Sequence, residues 1–327
     1  MKQGFKKWAA VLLAGALLLG TSACGNQAEK QVVFYTNADD EAVDAMKAAL
    51  DENGYQGKYI LQTFGTSELG GKLLAEGTNI EADIITMSSY YIDSAQEKNN
   101  MFLDLSFERS TLQEFASYQA PTTSQEGAII VNTTVLEENG LPMPQSLKDL
   151  ANPEYEGFIS VPDVDASSTA WLMVQAVLDA YGETEGKEVM AGIIKNAGPH
   201  YESSGSGPLK KVRAGEVAVA FGLRHQAVAD KNDGLPIDYV DPTEGTFSLT
   251  ESVAVIDKGS NTNPLAMEMA ECIIQNGRSK LLETYPVPVY EGETANAEMI
   301  SQNTKVFPQP LTVDLLEEHK KFVDSCK

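Results

Sequence analysis

Residues 201–226, YESSGSGPLKKVRAGEVAVAFGLRHQ, decide the fold of this chain. The segment begins with a run of small hydroxyl and glycine residues at 203–207 and continues with a short helical pattern at 209–214. Gly215 ends that helix, and residues 216–222 have the apolar pattern of a buried strand. A polar loop, a helix and a strand are therefore expected in immediate succession.

The loop and the residues after the strand have the chemistry of a small-anion site. Backbone N–H groups at a helix start favour a negative group by about 0.3–1 kcal/mol, and an arginine can bind an oxyanion bidentately. Ser204, Gly205 and Ser206 supply the loop, and Arg224 and His225 follow the strand. The alternatives are a surface turn before a core strand, a surface salt bridge for Arg224 and a structural role for His225.

The N-terminus has the organisation of an export signal. Three lysines precede an apolar run over residues 8–20, which is too short to span a bilayer stably, so residues 1–23 are predicted to be a signal peptide. The sequence before Cys24 resembles a bacterial lipobox, although Thr21 stands where leucine is commoner. This implies lipidation of Cys24, a tether over residues 24–30 and an extracytoplasmic protein anchored at the cell surface or periplasmic face. The alternative is a plain secretory signal with a chance cysteine.

The composition is that of a soluble globular protein: 327 residues, 43% hydrophobic and 22% charged, with a formal net charge of −23. Such a charge repels nucleic acid and anionic lipid, so we expect no nucleic-acid partner and membrane contact only through the lipid anchor. No CxxC or HxxxH spacing indicates a metal site. Cys272 is expected to be a core residue, and a disulfide with Cys326 is left open.

Three alternations of strand and helix patterns follow the tether. The strand patterns lie at 31–36, 59–63 and 83–87, and the helix patterns lie at 41–50, 68–76 and 90–98. This order predicts a parallel α/β sheet, and open α/β sheets bind ligands at the carboxyl ends of their strands. The polar residues at these predicted strand ends are Tyr35, Thr36, Asn37, Thr66 and Ser88.

The second half of the chain continues the alternation. Residues 127–132 form an apolar strand pattern, which we interpret as a crossing to a second lobe. Ser168 and Thr169 precede a helix pattern, and Glu251 lies in a returning strand pattern. The remaining patterns are strands at 158–161, 237–239 and 248–256 and helices at 170–181, 265–275, 279–284 and 311–325.

Four segments carry a family resemblance. They are VVFYTN (32–37), PQSLKDLANPEYEGFISVPD (144–163), SSGSGP with KKVRAGEVAVAFG (203–222) and NPLAMEMAECIIQ (263–275). Together they resemble the extracellular solute-binding proteins of bacterial ABC importers, in the group that handles ferric iron, thiamine, 2-aminoethylphosphonate and sugar phosphates. Leu147 stands where tryptophan is usual in the second segment.

The resemblance implies an α/β, periplasmic-binding-protein-like fold of type II, with two α/β lobes, hinge strands and an interlobe cleft that closes on its ligand. It also implies a monomer without enzymatic activity or cofactor, which delivers a small anionic solute to an ABC transporter permease. We expect the first lobe at 31–127 and 253–300, the second at 128–252, and a C-terminal helical segment at 301–327.

The candidate residues suit a phosphonate, a sugar phosphate or a related phosphoryl compound. Arg224 and His225 are expected to bind the oxyanion, cradled by the 204–206 loop together with Ser168 and Thr169. Glu251 could hold hydroxyls or an amine of the solute, and its alternative is a solvent-facing strand carboxylate.

Two other functions are weaker alternatives. Ferric-iron members are expected to offer adjacent tyrosines near the end of the 216–222 strand, where this chain has no tyrosine, and we interpret Tyr90 and Tyr91 as packing residues. A secreted hydrolase lacks support because no GxSxG or HExxH motif is present.

Overall fold

A computed structural model of the chain describes residues 30–327. The predicted signal peptide, Cys24 and all but the last residue of the predicted tether lie outside the described residues. Strands β1 to β9 are Val32–Thr36, Tyr59–Thr63, Ile84–Ser88, Ala120–Asn132, Ile159–Pro162, Tyr201–Glu202, Val219–Leu223, Ile237–Val240 and Ser248–Val255. Helices α1 to α10 are Asp40–Leu50, Thr66–Glu76, Ser89–Asn99, Thr133–Glu138, Ser168–Ala197, Gly207–Ala214, Arg224–Asn232, Pro264–Cys272, Arg278–Thr284 and Val313–Asp324.

The long strand β4 belongs to two groups of strands. Its first half, residues 120–126, pairs with β9, which continues through β3 and β1 to β2. Its second half, residues 127–132, pairs with β7 on one side and β8 on the other, and β7 continues to β5 and β6. The strand predicted at 127–132 is present as the second half of β4, and the α/β fold has two sheet halves that share β4.

Parallel pairing follows from the strand–helix alternation. β1 lies between β2 and β3, with both neighbours parallel to it, while β9 returns antiparallel to β3. Every residue of β1 and of β3 is buried, as expected for strands covered by helices on both faces. The carboxyl ends of these strands therefore lie at one edge, each followed by the start of a helix.

Local sequence explains where the helices that matter for the site begin and end. The Ser167 hydroxyl accepts a hydrogen bond from the Thr169 N–H at 3.2 Å and caps α5. Helix α6 carries Pro208 in its first turn and ends at Gly215, whose φ of 70° lies in the left-handed region that favours glycine.

Several elements differ from the sequence-based expectation. Strand β4 begins at Ala120 and not at 127. The run α5 contains two helical segments, because Gly182, with a φ of 63° and a ψ of −173°, is not helical and interrupts the run after Tyr181, where the predicted helix ends. The second segment, 183–197, was not predicted. Residues 224–232, which were not predicted to be regular, form α7. Arg224, which was predicted only to follow the strand, is therefore the first residue of a helix.

An aromatic cluster joins elements of both sheet halves. The Tyr90 and Trp171 rings have centroids 4.8 Å apart, and the Trp171 indole N–H donates to His319 Nδ1 of α10 at 2.8 Å. Tyr90 and Tyr91 are both buried, which confirms their interpretation as packing residues. Cys272 and Cys326 are free and buried in different hydrophobic clusters, so Cys272 is a core residue as expected.

Candidate functional site

A cavity of about 310 Å³ is lined by the first turns of α1, α2, α5 and α6. We call it the helix-start cavity. The residues predicted as ligand contacts that line it are Asn37, Thr66, Ser168, Thr169, Ser204, Gly205, Ser206 and Glu251. Because these residues come from elements on both halves of the sheet, the cavity brings together the strand ends and the 203–206 loop that the sequence singled out.

Three of the other predicted residues lie behind the cavity wall. The Tyr35 hydroxyl donates to Glu81 at 3.0 Å, and the Thr36 hydroxyl accepts from the Ala38 N–H at 3.0 Å. Ser88 is fully buried, and its hydroxyl donates to Glu251 Oε1 at 2.7 Å. Tyr35, Thr36 and Ser88 therefore support the cavity without lining it.

The position predicted for Arg224 is corrected by the structure. Its guanidinium is 5% exposed, and its Nε donates to Asp241 Oδ1 at 2.7 Å. Together with Tyr239 and Glu298 it lines a different cavity, of about 590 Å³. Arg224 begins α7 and is neutralised by a carboxylate of the protein, so it is not the cation of the helix-start cavity.

His225 is also placed away from the cavity lining. Its ring packs against Tyr285, with centroids 4.5 Å apart, and it is 5% exposed. Burial lowers the pKa of His225 to about 3, so the ring is neutral at physiological pH. Its Nε2 has no hydrogen-bond partner within residues 30–327.

The cations that line the cavity are Lys210 and Arg213, which the sequence reasoning missed. Both belong to α6, and they follow Ser206 at spacings of four and seven residues, which place all three on one helix face. That spacing is the signal that could have found them. Arg213 is already paired, since it donates two hydrogen bonds, of 2.7 and 2.8 Å, to the Asp230 carboxylate.

Hydroxyl groups of α5 and of the 203–206 loop form one part of the lining, which we call the hydroxyl rim: Ser167, Ser168, Thr169, Ser204 and Ser206. The loop packs closely on α5 at Gly205, where a Cβ atom would lie 2.6 Å from Thr169 Oγ1 and 2.8 Å from Ser167 Oγ. Only glycine fits this approach. The rim joins two helix starts, and helix starts favour anions.

Acidic side chains form another part, the carboxylate rim, which consists of Asp39, Asp40, Glu41 and Glu251. Glu251 is 6% exposed. With the Asn37 amide turned so that its nitrogen faces Glu251, that nitrogen donates to Oε2 at 2.9 Å while the Asn37 oxygen accepts from Thr66. Burial, reinforced by the charge of Asp39, raises the pKa of Glu251 to about 7.

Asp39 has a similar environment and is not among the residues predicted as ligand contacts. It stands at the N-cap of α1 but makes no side-chain capping bond, and it accepts from the Tyr285 hydroxyl at 3.3 Å. Burial and then the charge of Glu41 raise its pKa to about 6. The acidic turn after β1 was the available signal for this part of the site.

Residues 30–327 contain no group of three or more histidine, cysteine or acidic side chains arranged to hold a metal ion. Over the same residues, no helix has both the length and the apolar character needed to cross a membrane. No tyrosine is found among the described residues that line the helix-start cavity.

The fold has two sheet halves that share β4, and helix starts from both halves line a polar cavity. These features define the fold of the periplasmic binding proteins. The sequence profile of the family described as bacterial extracellular solute-binding protein matches residues 81–307. The chain belongs to this family.

Individual relatives differ in what they are named for. The spermidine/putrescine-binding periplasmic protein of Escherichia coli is 24% identical over 94% of this chain and 92% of its own. Among solved structures, the periplasmic binding protein AfuA of Actinobacillus pleuropneumoniae, with fructose-6-phosphate bound, is 20% identical. It covers 90% of this chain and 97% of its own, with a TM-score of 0.71.

Iron-bound HitA of Pseudomonas aeruginosa is 16% identical, with a TM-score of 0.71 over 91% of this chain and 99% of its own. At these identities the structural neighbours establish the fold of this chain and not its ligand. The family is one of solute-binding proteins that work with ABC importers, and its related proteins are periplasmic.

Proposed function

We propose that this chain captures a small solute with a phosphoryl or phosphonate group and delivers it to the permease of an ABC importer, without catalysing a reaction. The observation that carries the proposal is the hydroxyl rim, in which two helix starts and a glycine-tight loop line one cavity. Such a rim offers neutral donors to an oxyanion. Lys210 adds a positive charge beside it.

The predicted lipid anchor belongs to the same proposal. Lipidation of Cys24 would hold a monomeric binding protein at the outer face of the cell membrane, where a permease receives the solute. Metabolic labelling with a fatty-acid probe tests this step, with Cys24→Ala as the control. Label that persists in Cys24→Ala would contradict it.

Thermal unfolding with a panel of solutes tests the choice of ligand. A ligand at 100 times its dissociation constant adds about 2.7 kcal/mol to the free energy of unfolding and raises the melting temperature. We expect this rise with organic phosphates or phosphonates and none with ferric citrate. A rise with ferric citrate alone would overturn the phosphoryl assignment.

A polyamine is a second candidate, and a specific observation favours it. The carboxylate rim places four acidic side chains on the cavity, and the Escherichia coli relative is named for spermidine and putrescine. The helix starts that carry the hydroxyl rim, however, favour an anion over a purely cationic solute. Including spermidine and putrescine in the same panel separates the two candidates.

A further inference from the structure

After α9 the chain crosses again between the two sheet halves. Before the crossing, in the half that contains β1 to β3, Arg278 of α9 donates to the Glu293 carboxylate at 2.7 Å, and α9 packs on α1. Beyond the crossing, in the half that contains β5 to β8, Arg224 of α7 donates to the Glu298 carbonyl oxygen at 3.2 Å. We call residues 294–327, which make this crossing and then form α10, the C-terminal strap.

The strap is bound at the junction of the two halves. Glu126 is the last residue of the part of β4 that pairs with β9, and its side chain is buried. Its carboxylate accepts from the Ser301 N–H at 3.0 Å and from the Thr304 hydroxyl at 2.8 Å. Thr246, just before β9, forms a parallel bridge with Thr304. The strap therefore lies against the place where β4 passes from one half to the other.

Helix α10 is attached mainly to α5, in the second half. The buried hydrogen bond between His319 and the Trp171 N–H holds the middle of the helix on the first turns of α5. Just past the end of α10, Lys327 donates to the Asp165 carboxylate at 3.3 Å, in the turn before α5. These contacts fix α10 to α5 at two points, so the two helices are expected to move together.

The start of α10 reaches across to α3, in the first half. The Val313 N–H donates to the Ser94 hydroxyl at 3.3 Å, and both residues are partly exposed. Val313 is the first residue of α10, where a backbone N–H has no acceptor within its own helix. This contact is longer and more exposed than the bond of His319 to Trp171, so it is the one that breaks when the halves separate.

The turn that binds the end of the strap is also the turn that meets the first half beside the helix-start cavity. The Asp165 carbonyl oxygen accepts from the Ser67 hydroxyl of α2 at 2.7 Å, while its carboxylate accepts from Lys327. The strap therefore supports one partner of the Ser67 contact and makes a second contact between the halves at Ser94.

We propose that the C-terminal strap is a clasp that stabilises the closed arrangement of the two sheet halves. Helix α10 moves with α5, and its bond from Val313 to Ser94 forms on closing and breaks on opening. The clasp concerns the motion of the protein and does not depend on which solute the cavity takes.

A reversible crosslink tests whether α10 moves relative to α3. In the double variant Ser94→Cys with Val313→Cys, oxidation joins the two helices, and mass spectrometry verifies the disulfide. We expect the oxidised, ligand-free protein to have a smaller radius of gyration in X-ray scattering than the same protein after reduction. Each single variant and the wild type, treated with the same oxidant, should show no change. Equal radii before and after reduction, or a folded double variant that forms no disulfide, would overturn the clasp.

A second variant loosens the clasp without disturbing α10. Val313→Pro removes the N–H that binds Ser94, while proline suits the first position of a helix and Thr312 already has the extended backbone favoured before proline. Loss of this bond should raise the ratio of open to closed protein about two- to tenfold, and so increase the radius of gyration without solute.

Ser94→Ala removes the acceptor of the same bond and should give the same increase, with no further increase when it is combined with Val313→Pro. Ser94→Thr keeps the hydroxyl and is the matched control. Circular dichroism checks that every variant is folded. An unchanged radius in both Val313→Pro and Ser94→Ala would show that the bond does not hold the halves together. Because no solute is added, failure of the clasp would leave the proposed function as it stands.

Discussion

Glu251 is a buried carboxyl group that accepts hydrogen bonds from the neutral side chains of Ser88 and Asn37. Its pKa is raised from 4.5 to about 7 by burial, so the folded state holds a proton more tightly than the unfolded state does. The contribution of this group to stability is therefore fully present below pH 4.5 and is lost as the pH rises towards 7.

This gives a pH-dependent prediction for the ligand-free protein. Relative to wild type, Glu251→Gln should become progressively more stable as the pH rises from 4.5 to 7, because the glutamine amide never loses a proton. Denaturant unfolding at several pH values measures the difference. A constant difference across this range would contradict the assigned pKa shift.

Gly205 sets how closely the loop approaches α5. In Gly205→Ala, the added Cβ would lie 2.6 Å from Thr169 Oγ1, so the loop must move and the hydroxyl rim must widen. We expect solute affinity to fall by about tenfold or more, measured by calorimetry. Gly71→Ala is the control, because its Cβ would meet no atom within 4 Å and alanine favours helix α2 by up to about 1 kcal/mol. Unchanged affinity in Gly205→Ala would show that the loop does not bind the solute.

Arg224 and Lys210 lead to opposite predictions. Arg224→Ala leaves Asp241 without its partner and should destabilise the fold without changing solute affinity. Lys210→Ala should weaken binding of an oxyanion by about 1.5–3 kcal/mol while stability changes little, as expected for loss of a charged hydrogen bond. Unfolding and calorimetry on both variants separate the effects, and loss of binding in Arg224→Ala would restore the role predicted from the sequence.

At the scale of elements, the strands were largely readable from the sequence because burial on both faces produces apolar runs with clear ends. β1 and β3, in which every residue is buried, were predicted to within one residue at each end, and so was β9. Helix α7 was missed because it begins directly after β7 with Arg224 and His225, whose polar side chains are buried by partners distant in sequence. Pairing with Asp241 and packing on Tyr285 depend on tertiary structure, and no local pattern reveals them. Lys210 and Arg213 differ in this respect, because their spacing after Ser206 on α6 is a local pattern.

Helix α10 depends on one buried hydrogen bond to α5. Burial lowers the pKa of His319 to about 4, so the neutral ring accepts from the Trp171 N–H at 2.8 Å. His319→Leu should leave that N–H unpaired and cost about 1–3 kcal/mol of unfolding free energy. Chemical denaturation measures the loss. Trp171→Phe with His319→Leu is the paired control, since removing both partners should cost less than the two single changes together.

At the scale of the whole molecule, a contact beside the cavity joins two segments that the sequence predicted to lie in different lobes. The Ser67 hydroxyl of α2 donates to the Asp165 carbonyl oxygen at 2.7 Å, in the turn before α5. The predicted boundaries at 127 and 253 remain predictions, but β4 and β9 are the strands that a hinge motion would bend.

We therefore expect bound solute to favour the closed form, with Ser67 and Asp165 in contact. X-ray scattering should show a smaller radius of gyration when solute is added to wild type.

Ser67→Ala removes one exposed hydrogen bond, which contributes about 0.5–1.5 kcal/mol, so solute affinity should fall by a few-fold to about tenfold. Because Ser67 does not line the cavity, this loss would reflect closure and not direct contact with the solute. An identical scattering profile with and without solute would contradict ligand-induced closure. In that case the Ser67–Asp165 contact is already formed in the free protein and adds nothing to solute affinity.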